Sequence, residues 1–162
     1  MGYSFPAALG AAIHETKKQI ICFTGDGSIQ MNIQDLQTMS FMKLPIKLFI
    51  LNNFGYGIIK QFQDPWCESR YEATGNGYSQ PDFGKIADAY ELKYRKIAKI
   101  EDIKKNDLDS NDGIIFDVIL HPNTLIEPKI DSGNPLHNMF PYMNLDDDAF
   151  ELEFLRNLNE KK

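Results

Sequence analysis

Two short apolar runs, Ile20-Ile21-Cys22-Phe23 and the stretch from Ile46 to Leu51, each lead straight into a polar tip: Gly25-Asp26-Gly27-Ser28 after the first and Asn52-Asn53 after the second. The 24 residues between Gly27 and Asn52 are enough for one helix and one strand. Continuous apolar runs of this kind read as strands buried on both faces. Joined by a helix at this spacing, they predict a parallel βαβ unit. In an open parallel sheet, ligands gather outside the carboxyl ends of the strands, so both polar tips should face one crevice.

The flanking sequence continues the alternation. Residues 6–15 read as a helix in which Ala7, Ala8, Gly10, Ala11 and Ala12 would allow another backbone to approach closely. Asn32 followed by Asp35 has the pattern of a capping box, and Ile33, Leu36, Met39 and Met42 follow at near-helical spacing until Pro45. After Gly55 and Gly57 comes a helix over 58–63. Residues 64–81, rich in Gly, acidic and aromatic residues, read as a long loop of the type kept for functional surfaces. A helix over 83–90, a strand over 94–97, a small helix after Ile100 and a strand over 114–120 complete the series. The expected fold is α/β, three layers with a mainly parallel sheet flanked by helices, over residues 1–122. Residues 123–162 hold Pro128, Pro135 and Pro141, the acidic Asp146-Asp147-Asp148 and an amphipathic piece over 150–158. They are expected to form an arm packing on the domain or on a partner subunit.

Composition narrows the partners. The chain has 162 residues with a net charge of −6 and a pI near 5.0, and its basic residues are scattered, so neither nucleic acid nor an anionic membrane is expected to bind. No apolar run reaches the ~20 residues of a membrane span, and Met1 onward lacks the order of a signal peptide, so a cytoplasmic location is the expectation. Of two cysteines, Cys22 lies in a strand-like run, where a small buried thiol is the simplest role, and Cys67 lies in the long loop.

The polar tips carry the chemistry. Asp26 offers an anionic oxygen, Asn53 a neutral amide oxygen and the turn at Phe54-Gly55 a backbone carbonyl, together half of an octahedral Mg²⁺ shell. Gly27 lets a phosphate approach the backbone, and Ser28 adds a hydroxyl at a helix start, where N–H groups favour anions. Either tip alone reads as a tight turn, since Gly, Asp and Asn dominate turns. The two together, on successive buried strands, read as a metal-bridged diphosphate cradle.

Gly-Asp-Gly, 24 residues and Asn-Asn resembles the motif of thiamine diphosphate-dependent enzymes. The stretches Met1-Gly2-Tyr3-Ser4-Phe5-Pro6-Ala7-Ala8-Leu9-Gly10-Ala11 and Gly25-Asp26-Gly27-Ser28-Ile29-Gln30-Met31-Asn32 are similar to the acetolactate synthase branch. The resemblance extends from Met1 to about Leu120. It implies that Asp26, Asn53 and the carbonyl of Gly55 bind Mg²⁺. It also implies that Gly25, Gly27, Ser28, Tyr56, Gly57 and Ile58 surround the diphosphate, and that Met1 props the cofactor in its bent form. The implied activity is decarboxylation of a 2-oxo acid such as pyruvate and ligation of the enamine to a second carbonyl. The alternatives are a simple 2-oxo acid decarboxylase and a non-catalytic assembly or regulatory module keeping the fold. Family members activate the cofactor with a glutamate from a pyrimidine-binding domain of the same or a neighbouring subunit, and they are dimers or tetramers. No residue here matches that glutamate, so the catalytic acid is expected from a missing domain, the chain is expected to be a fragment or one subunit of a split enzyme, and the isolated 162 residues are expected to be inactive.

Two positions depart from the branch: Ile58 stands where acetolactate synthases tend to carry methionine, and Phe62 where they carry a tryptophan linked to acceptor choice. The Phe54-Gly55-Tyr56-Gly57 turn and Pro135-Leu136-His137-Asn138-Met139 look more like relatives of unassigned substrate. Phe62, Trp66 and Tyr71 are candidates for a substrate channel or for plain packing. Lys60 takes the place of the third glycine of a dinucleotide fingerprint. His14, His121 and His137 lie far apart without cysteine pairs, which leaves zinc without support.

Overall fold

The computed structural model describes residues 1–15 and 18–126. Its centre is a four-stranded sheet in the order β1-β2-β4-β3, with every pairing parallel. The strands are β1 Ile20–Gly25, β2 Ile46–Asn52, β3 Lys93–Ile97 and β4 Ile114–Ile119. Register brings the two polar tips together: Gly25 lies opposite Leu51, so the chain leaves both strands side by side at the carboxyl edge. Residues Met1–Leu125 form one compact unit. The tail features at Pro128, Pro135, His137, Pro141, Asp146 to Asp148 and 150–158 lie outside the described residues.

One sheet face is covered by helices α1 Ser4–His14, α3 Leu36–Phe41 and α5 Phe83–Ala89. Phe5, Ala8, Leu9 and Ala12 recur at helical spacing along α1 and bury themselves with Cys22, Leu48, Ile50 and Ile115, while Leu36, Met39, Phe83 and Ala87 extend this core. The small residues of α1 thus serve the sheet at Ala8 and Ala12, whereas Gly10 faces open space. The other face buries Phe49, Ile97, Ile114 and Phe116 beneath Ile103 and Leu108, which flank and belong to α6 Lys105–Asp109. Phe49 stacks between Phe23 and Phe116, with centroids 5.1 and 4.5 Å away. The three layers expected from the sequence are therefore present.

Three local details differ from the sequence reading. First, β1 is buried on one face only: Ile21 and Phe23 remain 57% and 58% exposed, because β1 is an edge strand and α6 covers the β4 and β3 side. Second, Asn32 caps nothing. Helix α2 Asp26–Ile29 begins at the strand end and passes into a 3-10 segment, Gln30–Asp35, in which Asn32 is non-helical at φ −136°. The chain turns helical six residues earlier than the capping pattern implied, so no free helix start is left at Asn32. Third, α4 Gly57–Trp66 continues through Pro65, and the long loop starts only after it. Cys22 and Cys67 are both free thiols. No helix among the described residues is long and apolar enough to cross a membrane.

Candidate functional site

Asp26 is the first residue of α2 and is 1% exposed. Its Oδ2 accepts two hydrogen bonds, from the Gly55 N–H at 3.0 Å and from the Tyr78 hydroxyl at 2.9 Å. Burial pushes its carboxyl above the usual carboxylate range, and the bonds from Tyr78, Gly55 and Gly27 pull it partly back. With Oδ2 satisfied, Oδ1 is left to face the second tip.

There the amide oxygen of Asn53 lies 2.9 Å from the Gly55 carbonyl oxygen and 3.3 Å from Asp26 Oδ1. Two arrangements resolve such a contact: the amide turns over so that its NH₂ donates to both neighbours, or a cation sits among the three oxygens. The 2.9 Å separation suits both, being an ordinary N–H···O distance and also about the edge of an octahedral Mg²⁺ shell with ligands at 2.0–2.1 Å. The donor set of one carboxylate, one amide and one backbone carbonyl is hard oxygen throughout, as Mg²⁺ prefers. No group of three His, Cys, Asp or Glu that could hold a metal occurs among the described residues.

Glycines make this geometry possible at two points. A Cβ on Gly57 would stand 2.3 Å from Asn53 Nδ2, so the Asn53 side chain can fold over the start of α4 only because Gly57 has none. A Cβ on Gly27 would meet the Tyr56 ring at 2.3 Å. The sequence reading gave Gly27 to phosphate approach, and the structure adds a second reason, the seating of Tyr56. Tyr56 in turn meets Tyr78 edge to face, at 5.1 Å between centroids, and the pair lies beside Asp26. Tyr78 also accepts from Gln30 Nε2 at 3.2 Å, and burial together with the Asp26 carboxylate pushes its phenol well above the usual tyrosine range.

The other candidate residues lie around this centre. Gly25 ends β1 in extended conformation. Ser28 Oγ accepts the Gly2 N–H at 2.8 Å, which fixes the residue after Met1 to α2, while Met1 itself is 61% exposed. Ile58 is in the first turn of α4, and Phe54, Ile58, Phe62 and Trp66 follow one another at four-residue intervals, all exposed. Phe62 and Trp66 stack at 6.1 Å, so these channel candidates form a solvent-facing apolar stripe leading away from the metal-type oxygens. Tyr71 lies under the Lys60 ammonium, 5.4 Å from ring to nitrogen. Tyr78 had no sequence signal, because its contact with Asp26 comes from the long loop, whereas Gln30, whose Nε2 donates to the Asp26 carbonyl at 3.3 Å, was legible only as part of the stretch similar to the acetolactate synthase branch.

The fold and site place a buried carboxylate, an asparagine amide and a glycine-broken turn together at the carboxyl edge of a parallel sheet, where open sheets receive their ligands. The model of the thiamine pyrophosphate enzyme C-terminal TPP binding domain matches residues 1–111, and the chain belongs to this family. It is 40% identical over 104 residues to the acetolactate synthase large subunit of Cyanidium caldarium, covering 64% of this chain and 18% of that protein. It is 31% identical over 148 residues to the mitochondrial acetolactate synthase of Schizosaccharomyces pombe, covering 90% of this chain and 22% of that one. Among solved structures, a thiamine diphosphate-dependent 4-hydroxybenzoylformate decarboxylase of Rhodococcus jostii matches with a TM-score of 0.66 and 28% identity, over 75% of this chain and 23% of that one. The chain thus spans about a fifth of the length of these proteins.

Proposed function

We propose that this domain is the diphosphate-binding part of an acetolactate synthase-like enzyme that decarboxylates a 2-oxo acid such as pyruvate and joins the product unit to a second carbonyl. The observation that carries the reading is that the Asn53 amide, the Gly55 carbonyl and Asp26 Oδ1 meet at the carboxyl edge of β1 and β2, with Asn53 2.9 and 3.3 Å from the other two. In this reading Asp26, Asn53 and Gly55 hold Mg²⁺, and Gly25, Gly27, Ser28, Tyr56, Gly57 and Ile58 receive the diphosphate at the starts of α2 and α4, where N–H groups point outward. Thiamine diphosphate supplies, when bound, the electron sink that lets a 2-oxo acid lose CO₂.

The chain's own residues bind and orient. Gly2, tied to Ser28, sets where Met1 stands as the prop for the bent cofactor. Tyr56 and Tyr78 shield the Asp26 carboxylate from water, which strengthens its hold on a cation. The exposed stripe Phe54, Ile58, Phe62 and Trp66 supports a companion surface, the pyrimidine-binding domain of the same or a neighbouring subunit in a homo-oligomer, which supplies the activating glutamate.

The test is product analysis with the intact protein, pyruvate, Mg²⁺ and thiamine diphosphate. Acetolactate together with CO₂, lost in Asp26→Ala, supports the carboligase. CO₂ with an aldehyde replaces it with a decarboxylase, and cofactor binding without turnover replaces it with a non-catalytic module.

A further inference from the structure

Among the described residues, one buried carboxylate outside the candidate metal cluster forms no ion pair. Asp117, on β4, is 5% exposed. Its Oδ1 accepts from Asn52 Nδ2 at 2.9 Å and its Oδ2 from the Tyr94 hydroxyl of β3 at 2.9 Å. Asn52, the last residue of β2 and 1% exposed, uses its Oδ1 to accept the Phe54 N–H at 3.3 Å, and its backbone carbonyl accepts the Leu120 N–H at 2.8 Å. Phe54 sits at φ +59°, a left-handed conformation that a bulky residue adopts only under constraint. On either side of it are Asn53, whose amide reaches Asp26 Oδ1 at 3.3 Å and the Gly55 carbonyl at 2.9 Å, and Gly55, whose N–H donates to Asp26 Oδ2 at 3.0 Å.

We propose that Asp117, held by Tyr94, is a positioning residue for the metal-bearing turn. The carboxylate fixes which way the Asn52 amide faces, because an acceptor on Asp117 obliges Asn52 to present its NH₂ there and its oxygen to Phe54. The oxygen so presented holds the strained Phe54, and Phe54 sets the directions of the Asn53 side chain and the Gly55 carbonyl. The first asparagine of the Asn-Asn pair therefore acts on the cation through the backbone, and the second acts directly. The chain of bonds crosses three adjacent strands, so the β3 edge of the sheet is linked to cation affinity. This inference rests on the reading of Asp26, Asn53 and Gly55 as metal ligands.

The experiment measures Mg²⁺ affinity at saturating thiamine diphosphate in the intact protein, alongside the melting temperature without either. Asp117→Ala is expected to weaken Mg²⁺ binding roughly tenfold, the scale of a lost charged hydrogen bond. Asp117→Asn, which keeps an acceptor for Asn52, should recover most of it. Lys47→Met is the control. Lys47 is buried in β2 away from the carboxyl edge and donates to Ser110 and to the Asp112 carbonyl, so its loss should lower the melting temperature and leave Mg²⁺ affinity alone. Should Asp117→Ala fail to fold, Tyr94→Phe, which removes one hydroxyl, carries the test with an expected severalfold loss. Unchanged Mg²⁺ affinity in the variant that folds overturns the positioning role, and if Asp26→Ala still abolishes binding the proposed function stands. No Mg²⁺-dependent binding in the unaltered protein overturns both.

Discussion

Tyr78 reaches from the long loop to Asp26, 52 positions away in the chain, and donates its hydroxyl to Oδ2 at 2.9 Å. That bond occupies one carboxylate oxygen, and in the proposed reading the other one takes the cation. Tyr78→Phe keeps the ring against Tyr56 and removes the hydroxyl, both the donor to Asp26 and the acceptor of the Gln30 amide. Mg²⁺ affinity should fall roughly tenfold, with a small change in melting temperature. Calorimetric titration at saturating thiamine diphosphate checks this, and an unchanged affinity means the loop does not support the site.

Gly57→Ala separates helix stability from metal binding. Alanine early in α4 gains up to about 1 kcal/mol of helix propensity over glycine, yet its Cβ would stand 2.3 Å from Asn53 Nδ2. The flexible Asn53 side chain is the group that yields. The expected outcome is an unchanged or higher melting temperature without ligand, combined with at least tenfold weaker Mg²⁺ binding. Retained Mg²⁺ affinity would show that Asn53 does not need its present position.

Protonation of Asp26 gives a pH signature. Its folded-state pKa is raised, chiefly by burial. Without metal, the stability contributed by the protonated form is therefore present at low pH and lost as pH rises through that value. A cation needs the ionised form, so the stabilisation gained on adding Mg²⁺ grows over the same interval. Melting curves with and without Mg²⁺ and thiamine diphosphate, from about pH 4 to about pH 7, should diverge as pH increases, beginning above the ordinary carboxylate value of about 4. Asp26→Asn should remove the divergence.

Asp82 tests the scaffold apart from the site. It caps α5, accepting from the Gly84 and Lys85 N–H groups at 2.9 and 3.2 Å. Asp82→Ala should cost about 1 kcal/mol in chemical denaturation and leave Mg²⁺ affinity within error. A change in cofactor affinity would mean that α5 is coupled to the site.

What the sequence made legible was periodic and local. The apolar runs that became β1 and β2, and the polar residues directly after them, follow from short-range pattern, and the parallel register then places Asp26 beside Asn53 without further information. Contacts formed across the sequence were not legible. Tyr78 lies in a segment with no periodicity, and Asn52 reads like Asn53 until the sheet shows that one faces Asp117 and the other Asp26. The exposure of Ile21 and Phe23 depends on strand order, because the same apolar run is buried on both faces in a central strand and on one face at an edge. The misplaced cap at Asn32 has a related cause: Asp26 had already begun the helix.

The most direct measurement of the central claim is a titration of thiamine diphosphate into the intact protein with Mg²⁺, with EDTA in place of Mg²⁺, and with Asp26→Ala in Mg²⁺. Saturable binding is expected in the first case and none in the other two. Binding that persists in EDTA or in Asp26→Ala would contradict a metal-bridged diphosphate site built on Asp26, Asn53 and Gly55.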